Sequence, residues 1–408
     1  MKLETRNNKL LWGKASCEAL VERFGSPLYV YDEQIIRKQL RELKRALTWP
    51  KTRLLYSCKA NTNLSILRIV RDEGWGIDAV SPGEIQTVLR AGFKPTDILY
   101  TGNNVTDEEM RFALAHRVRV NVDSLPQLER FGRIRPGAPV SIRINPDVGE
   151  GHHDHVITGG MESKFGIWVD QLREARRIAK KHGLRIAGLH QHIGSGITEP
   201  ESFLQAMEVL LSAAREFGEL EFLDFGGGLG VPYASGQRSL NVSLLGRVLS
   251  RRFGSFCKRY GRELEMILEP GRYVVAEAGV LLARVNTIKA TPAHVFVGTD
   301  SGFNHLIRHP LYGAHHEIVN ASRVRGRRQF VAICGNVCES GDLFTHGRDV
   351  TAFREGDVVA ILGAGAYGFS MSMQYNSRPR PAEVLVSSGR ARLIRRRETL
   401  ADLLRNQC

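Results

Sequence analysis

No stretch of the 408-residue chain holds the roughly 18 consecutive apolar residues that a membrane-spanning helix needs. The start of the chain, Met1 to Lys14, alternates polar and charged side chains and lacks the apolar run of a secretory signal. Cysteine is scarce. Cys17, Cys58, Cys257, Cys334, Cys338 and Cys408 are scattered without disulfide-framework spacing, which suits a reducing cytoplasm. We find no linker, short repeat or low-complexity tract. Acidic residues are also in short supply: 43 Asp and Glu face 57 Lys and Arg, a net charge of +14. Part of the excess sits in Arg323-Val-Arg325-Gly-Arg327-Arg328 and Arg395-Arg396-Arg397. Nucleic-acid binding would want aromatics interleaved with such patches. These have none, so a solvated face or attraction of an anionic substrate is the better reading. Neither nucleic acid nor a membrane is expected as a partner.

What is present is ordinary globular material, 42% hydrophobic and 25% charged, at a length that fits two domains or one large barrel with an addition. Short apolar runs recur at Leu54 to Cys58, Gly76 to Val80, Ile98 to Thr101, Val118 to Val122, Val140 to Asn145, Ile186 to Ile193, Phe222 to Phe225 and Met266 to Leu268. Amphipathic stretches of helical period separate most of them: Leu64 to Glu73, Asp170 to His182, Pro200 to Phe217 and Ser243 to Tyr260. Another helical stretch, Glu33 to Leu47, precedes the first run. Strand-helix units repeated eight times over about 250 residues predict a (β/α)8 barrel of the TIM type. Beyond Arg272 the texture turns β-rich, with runs at Val280 to Ile288, Val295 to Thr299, Gln329 to Ile333, Asp357 to Leu362 and Ala382 to Val386. The expected fold class is therefore α/β, with a barrel over residues 27–276 and an all-β domain over 277–408. Residues 1–26 are expected to join the β domain.

In such barrels reactive groups stand where strands end. Lys59 ends the first run, His192 and Ser195 the sixth, Gly226-Gly227-Gly228 the seventh, and Glu269 with Arg272 the eighth. A lysine at a strand end is by itself an ordinary surface residue. Held away from bulk water it can attack a carbonyl and form a Schiff base. The triple glycine allows backbone N–H groups to close on a phosphate, and Arg272 one strand later supports that reading. Gly363-Ala-Gly365-Ala-Tyr367-Gly368 matches the dinucleotide fingerprint literally, but the residues after it do not form the helix that fingerprint requires. His152-His153-Asp154-His155 and the His190, His192 pair look metal-like, yet no carboxylate cluster in the sequence completes a ligand set, and no metal is expected. Cys338 beside Glu339, in a Gly-rich loop, offers a proton donor if it is exposed near the reaction.

In order along the chain, Tyr56-Ser-Cys-Lys59-Ala-Asn61, Ser81-Pro-Gly-Glu84, Thr158-Gly-Gly-Met-Glu-Ser-Lys164-Phe-Gly166, His190-Gln-His192-Ile-Gly-Ser195, Gly226-Gly-Gly228, Glu269-Pro-Gly-Arg272, Leu306-Ile-Arg308, Cys338-Glu-Ser-Gly-Asp342, Gly365-Ala-Tyr367-Gly-Phe-Ser370 and Tyr375-Asn-Ser-Arg-Pro-Arg-Pro381 resemble the fold-type III pyridoxal-phosphate-dependent decarboxylases. The match is nearest to the branch acting on meso-diaminopimelate. It implies that Lys59 holds pyridoxal 5'-phosphate, that Glu269 bonds the pyridine nitrogen and that His192 stacks on the ring. Ser195, Gly226, Gly227, Gly228, Gly271 and Arg272 would serve the cofactor, chiefly its phosphate, and Tyr367 would touch cofactor and substrate. Cys338 resembles the family's proton donor and Glu339 a substrate contact. The family's loop carrying them enters the other subunit's site, so a homodimer with shared active sites is implied.

Arg272, Arg308 and Tyr312 match positions used for substrate. Arginine suits the distal carboxylate of meso-2,6-diaminopimelate, whereas the distal amine of ornithine or lysine would be repelled. The expected reaction is decarboxylation of that substrate to L-lysine. Two departures from the family pattern stand near these positions: His309 separates Arg308 from Pro310, and Asn336 stands where proline is usual. Decarboxylation of D-ornithine, D-lysine, arginine or carboxynorspermidine remains an alternative, as does a non-catalytic regulator on the same scaffold.

Overall fold

Strands at Thr52–Ser57, Gly76–Ala79, Ile98–Tyr100, Arg119–Val122, Pro139–Asn145, Arg185–His190, Phe222–Asp224 and Glu265–Leu268 hydrogen-bond in chain order, all parallel. The last pairs with the first, Met266 opposite Thr52, and closes a barrel. These are the eight runs expected from the sequence. The computed structural model describes residues 3–151 and 158–408, and the chain divides into two units. The barrel belongs to the unit formed by residues 39–231 and 238–273.

Local sequence explains how strands hand over to helices. After the second strand, Ser81 caps the helix Pro82–Arg90: its hydroxyl accepts the Glu84 N–H, and the Glu84 carboxylate reaches back to the Val80 N–H at 2.8 Å. The fourth strand repeats the device, with Ser124 capping Leu125–Ile134 and the Gln127 amide oxygen accepting from Asp123 N–H at 2.9 Å. Proline stands in the first turn of both helices, where its missing N–H costs nothing. The resemblance motif Ser81 to Glu84 is thus a helix start. It sits at the barrel's C-terminal mouth, where each of the eight strands delivers its chain.

The second unit comprises residues 1–38, 232–237 and 274–408. Its main sheet runs Leu343–Thr351, Arg328–Cys334, Val295–Thr299, Gly279–Ala290, Leu28–Asp32, Ala382–Ser387, Arg390–Arg395, with Val358–Leu362 also on Gly279–Ala290 and Ile318–Asn320 beyond it. Leu10, Trp12, Leu28, Val30, Val280, Leu282, Ala360 and Val384 share its core. The N-terminal hairpin strands join this unit, where Leu10 N–H donates to Ala321 O and Val324 N–H to Asn8 O. Leu28–Asp32 lies inside the range assigned to the barrel from sequence. It pairs instead with Gly279–Ala290 and Ala382–Ser387, because a buried apolar run carries no local mark of which sheet will take it.

The arginine patches find structural work. Arg323 pairs with Asp357 at 2.6 Å and Arg328 with Asp349 at 2.6 Å. Arg395 pairs with the buried Glu383 across an edge strand, and Arg397 donates to Pro27 O at 2.7 Å. Charge on such an edge discourages pairing with another chain. The fingerprint glycines Gly363 to Gly368 follow an antiparallel strand and lead to a single 3-10 turn, Phe369–Met371, so no dinucleotide unit forms.

Candidate active site

At the barrel mouth Lys59 stands in a 3-10 turn, Cys58–Ala60, directly after the first strand. Its Nζ lies 2.9 Å from Oδ2 of Asp78, which ends the second strand region and is fully enclosed. Ser57 Oγ is within hydrogen-bond distance of the same Oδ2, at 2.8 Å, and Thr101 Oγ1 bonds Asp78 Oδ1. Burial alone would raise the Asp78 pKa, but the Lys59 charge and these hydrogen bonds outweigh it and hold the group at about 2. The pocket therefore steadies Lys59 as an ammonium paired with a carboxylate. The sequence places the lysine at the strand end but carries no sign of this carboxylate partner.

Glu269 follows the eighth strand and is 3% exposed. Its Oε2 lies 3.0 Å from His190 Nε2, while Oε1 has no hydrogen-bond partner among the described residues. Asp224, from the seventh strand, accepts the Gly226 N–H on Oδ1 at 2.9 Å, no donor among those residues reaches Oδ2, and its carboxyl is within side-chain hydrogen-bond reach of Glu269. Oxygens of Asp224 and Glu269 and a His190 nitrogen lie within 4.8 Å of one another. The sequence had shown no carboxylates placed to complete a set with His190; barrel closure supplies two. His152 to His155, the other metal-like group, lie outside the described residues.

His192 is buried, and burial followed by the charges of Lys59 and Arg143 pushes its pKa well below the ordinary histidine value. It is neutral, and its Nδ1 accepts the Gly227 N–H at 2.9 Å, which leaves the proton on Nε2. Arg143 donates through Nη2 to the carbonyls of His192 at 3.2 Å and Thr158 at 3.3 Å, and meets Asp123 at 3.5 Å. Arg272 directs Nε and Nη2 at Ser195 Oγ, 3.1 and 3.0 Å away.

The glycines act by clearance more than by donation. A Cβ on Gly227 would fall 2.1 Å from Glu269 O, and Gly228 has φ of +101° beside Gly194 O. The N–H groups of Gly226 and Gly227 are spent on Asp224 and His192, so two of the three donors expected for a phosphate point into the barrel. Gly271 stands against the first strand, its hypothetical Cβ 3.0 Å from Ser57 Cβ.

The remaining expected residues, Arg308, Tyr312, Cys338, Glu339 and Tyr367, belong to the other unit. Cys338 and Glu339 are exposed at the tip of a loop pinned by Asp342, whose carboxylate accepts the N–H groups of Phe303 at 2.6 Å and Val337 at 2.7 Å. Asn376 Oδ1 accepts the Cys338 N–H at 2.7 Å. Asn336 donates its N–H to Ser301 O at 2.9 Å, a bond that the family's usual proline could not make. Arg308 is 1% exposed, its guanidinium 4.5 Å above the Tyr233 ring with Nη1 3.0 Å from His316 Nε2. Tyr312 and Tyr367 are half-buried, and Tyr367 has φ of +57°.

Sequence reasoning missed Asp78, Arg143, Asp224 and Asp342. The first three shared one signal: a single charged residue inside an otherwise apolar barrel strand, as in Gly76-Ile-Asp78-Ala. Such a side chain points inward only if it has partners there.

The profile of the pyridoxal-binding domain of pyridoxal-dependent decarboxylases matches residues 33–276. Diaminopimelate decarboxylase of Methanothermobacter thermautotrophicus is 50% identical, over 98% of this chain and 95% of its own. The chain belongs to the pyridoxal-dependent decarboxylases. Among solved structures, the diaminopimelate decarboxylase of M. jannaschii in complex with L-lysine superposes on this decarboxylase with a TM-score of 0.92 at 33% identity, covering 100% of this chain and 98% of that one. The lysine/ornithine decarboxylase of Vibrio vulnificus complexed with putrescine reaches 0.80 at 25% identity, covering 91% and 97%. The barrel mouth fits pyridoxal 5'-phosphate on its own chemistry. It offers an amine at Lys59, an orphaned carboxylate oxygen on Glu269 suited to a ring N–H, and a flat neutral imidazole at His192.

Proposed function

We propose that the chain releases CO2 from meso-2,6-diaminopimelate and leaves L-lysine, with pyridoxal 5'-phosphate as cofactor. The observation that carries the substrate is the 50% identity, along 98% of the chain, to a diaminopimelate decarboxylase. When bound, the cofactor supplies an electron sink for the bond that breaks.

In this reading Lys59 is the covalent anchor, and Asp78 parks its ammonium until the cofactor arrives. Glu269 would hold the proton on the ring nitrogen through Oε1, which no donor among the described residues meets, and His192, fixed by the Gly227 N–H, would stack on the ring. Gly271 keeps the anchor's turn close to the last strand. Ser195, Gly228 and Arg272 serve the phosphate, with Gly226 and Gly227 giving room. Arg308, Tyr312, Glu339 and Tyr367 bind substrate alongside Arg272, and Cys338 returns a proton to the substrate carbon.

The purified protein with pyridoxal phosphate is offered meso-diaminopimelate, both ornithine and both lysine enantiomers, arginine and carboxynorspermidine, while CO2 is followed. Turnover of diaminopimelate is expected; rapid turnover of ornithine with none of diaminopimelate refutes the reading. Lys59→Ala removes the absorbance of covalently held cofactor, and its persistence would move the anchor elsewhere.

The exposure of Cys338 and Glu339 supports a homodimer in which each chain lends this loop to its partner's site. Lys59→Ala and Cys338→Ala proteins, dissociated and reassociated together, should then recover about a quarter of wild-type activity, since half the dimers are mixed and one of their two sites is whole. Recovery of none places both residues in one chain's site. No described helix is long and apolar enough to cross a membrane, and all six cysteines are free, which supports a cytoplasmic enzyme.

A further inference from the structure

We infer that Asp224 is the protonated member of a buried carboxyl pair, and that by keeping its proton it leaves Glu269 as the one negative charge presented to the cofactor's ring nitrogen. The inference rests on the reading of Glu269 just given, and it assigns a positioning task to a residue that reading does not use.

The geometry carries it. Asp224 and Glu269 stand at the ends of adjacent strands, seven and eight, fully or almost fully enclosed, and their oxygens fall with a His190 nitrogen within 4.8 Å. Two carboxylates cannot both remain ionised at that separation without water. The partners already assigned decide which one keeps the proton. Glu269 faces a ring nitrogen of His190 at 3.0 Å. Asp224 accepts the Gly226 N–H on Oδ1, no donor among the described residues meets its Oδ2, and its carboxyl lies within hydrogen-bond reach of the Glu269 carboxyl, a contact that two carboxyl groups can make only if one of them carries a proton to donate. Other charged groups acting on the pair are Asp78, with Lys59 as its counter-ion, and Arg143 and Arg119; the neutral His192 stands beyond His190. Arg143 is engaged by Asp123, and Arg119 lies over the Phe222 ring near Glu265. Burial, and then the charge of Glu269, push the Asp224 pKa well above the usual carboxylate range, in line with the geometry. A neutral Asp224 spares Glu269 a like-charged neighbour and holds the Gly226 turn in place.

Asparagine at 224 mimics the protonated acid, with an oxygen for Gly226 and no charge. In holoenzyme titrations, Asp224→Asn is expected to bind pyridoxal phosphate within about threefold of wild type, whereas Glu269→Gln binds at least about tenfold more weakly, one lost charge-assisted hydrogen bond being worth that much. A loss at Asp224→Asn equal to that at Glu269→Gln overturns the inference.

Melting of the cofactor-free protein gives a readout independent of any cofactor. An acid whose folded pKa is raised stabilises the fold at low pH, and that stability is lost between about pH 4 and the raised folded value. Subtracting the Asp224→Asn curve from wild type should expose this decline. In Glu269→Gln, where the neighbouring charge is gone, the decline should end at a lower pH. Identical pH dependence in all three proteins overturns the inference, even if Asp224→Asn proves too unstable for binding work and only Glu269→Gln is compared. Failure of wild type itself to bind pyridoxal phosphate would instead sink the proposed function, and the melting curves would still decide the state of Asp224.

Discussion

Replacing Asp78 by asparagine in the cofactor-free protein removes the charge that faces Lys59 and leaves the side chain's shape. Asp78 is wholly enclosed, so little solvent screening applies. Its pKa is brought down from 3.8 to about 2, Lys59's charge and the hydrogen bonds from Thr101, Lys59 and Ser57 prevailing over burial. The difference of about 1.8 units, at roughly 1.36 kcal/mol each, corresponds to about 2.5 kcal/mol of folding free energy. For an acid whose folded pKa is depressed, that stability is present above the unfolded value near 3.9 and disappears as pH falls through the folded value. Urea unfolding followed by circular dichroism should therefore place Asp78→Asn about 2 kcal/mol below wild type at pH 7. The gap should close as the solution is taken from about pH 4 toward pH 2. Equal stability at pH 7, or a gap that persists at the acid end, would show that the ion pair does not hold this end of the barrel.

Cys338→Ala should lower turnover far more than cofactor affinity; equal losses would point to a structural cysteine. Asp342→Asn keeps an acceptor for only one of the N–H groups of Phe303 and Val337 and sets an NH2 against the other, so it should reduce turnover by loosening the Cys338 loop while cofactor titrations stay unchanged. Gly227→Ala drives a methyl onto Glu269 O, and a loss of at least about 2 kcal/mol in unfolding experiments, with weakened cofactor binding, is expected from such overpacking. Burial takes the His305 pKa down to about 4, so its stability is complete above about pH 6.5 and fades as pH falls toward 4; a melting curve flat over that window would contradict its buried, neutral state.

Much of this site was readable because its signals are local. Lys59, Gly226 to Gly228 and Glu269 stand where apolar runs stop, and a run and its stop are both written within a few residues. The edge strand Arg390–Arg395 was not readable, since alternating arginines look the same on a sheet edge as on a solvated loop. Leu28–Asp32 fell inside the range given to the barrel, because its pairing partners lie some 250 or more residues away in sequence.

By itself the sequence determined the number and order of the barrel strands, the residues at their ends and the family to which they conform. Only the tertiary structure decided what those residues face. Closure of the last strand on the first sets Ser57 against Glu269, and the pairing of adjacent strands aims Asp78 at Lys59 and leaves Asp224 beside Glu269. The physical reason is that a side chain's charge depends on its distance from other charges and from water. Both distances are set by register and burial, which no short stretch of chain contains.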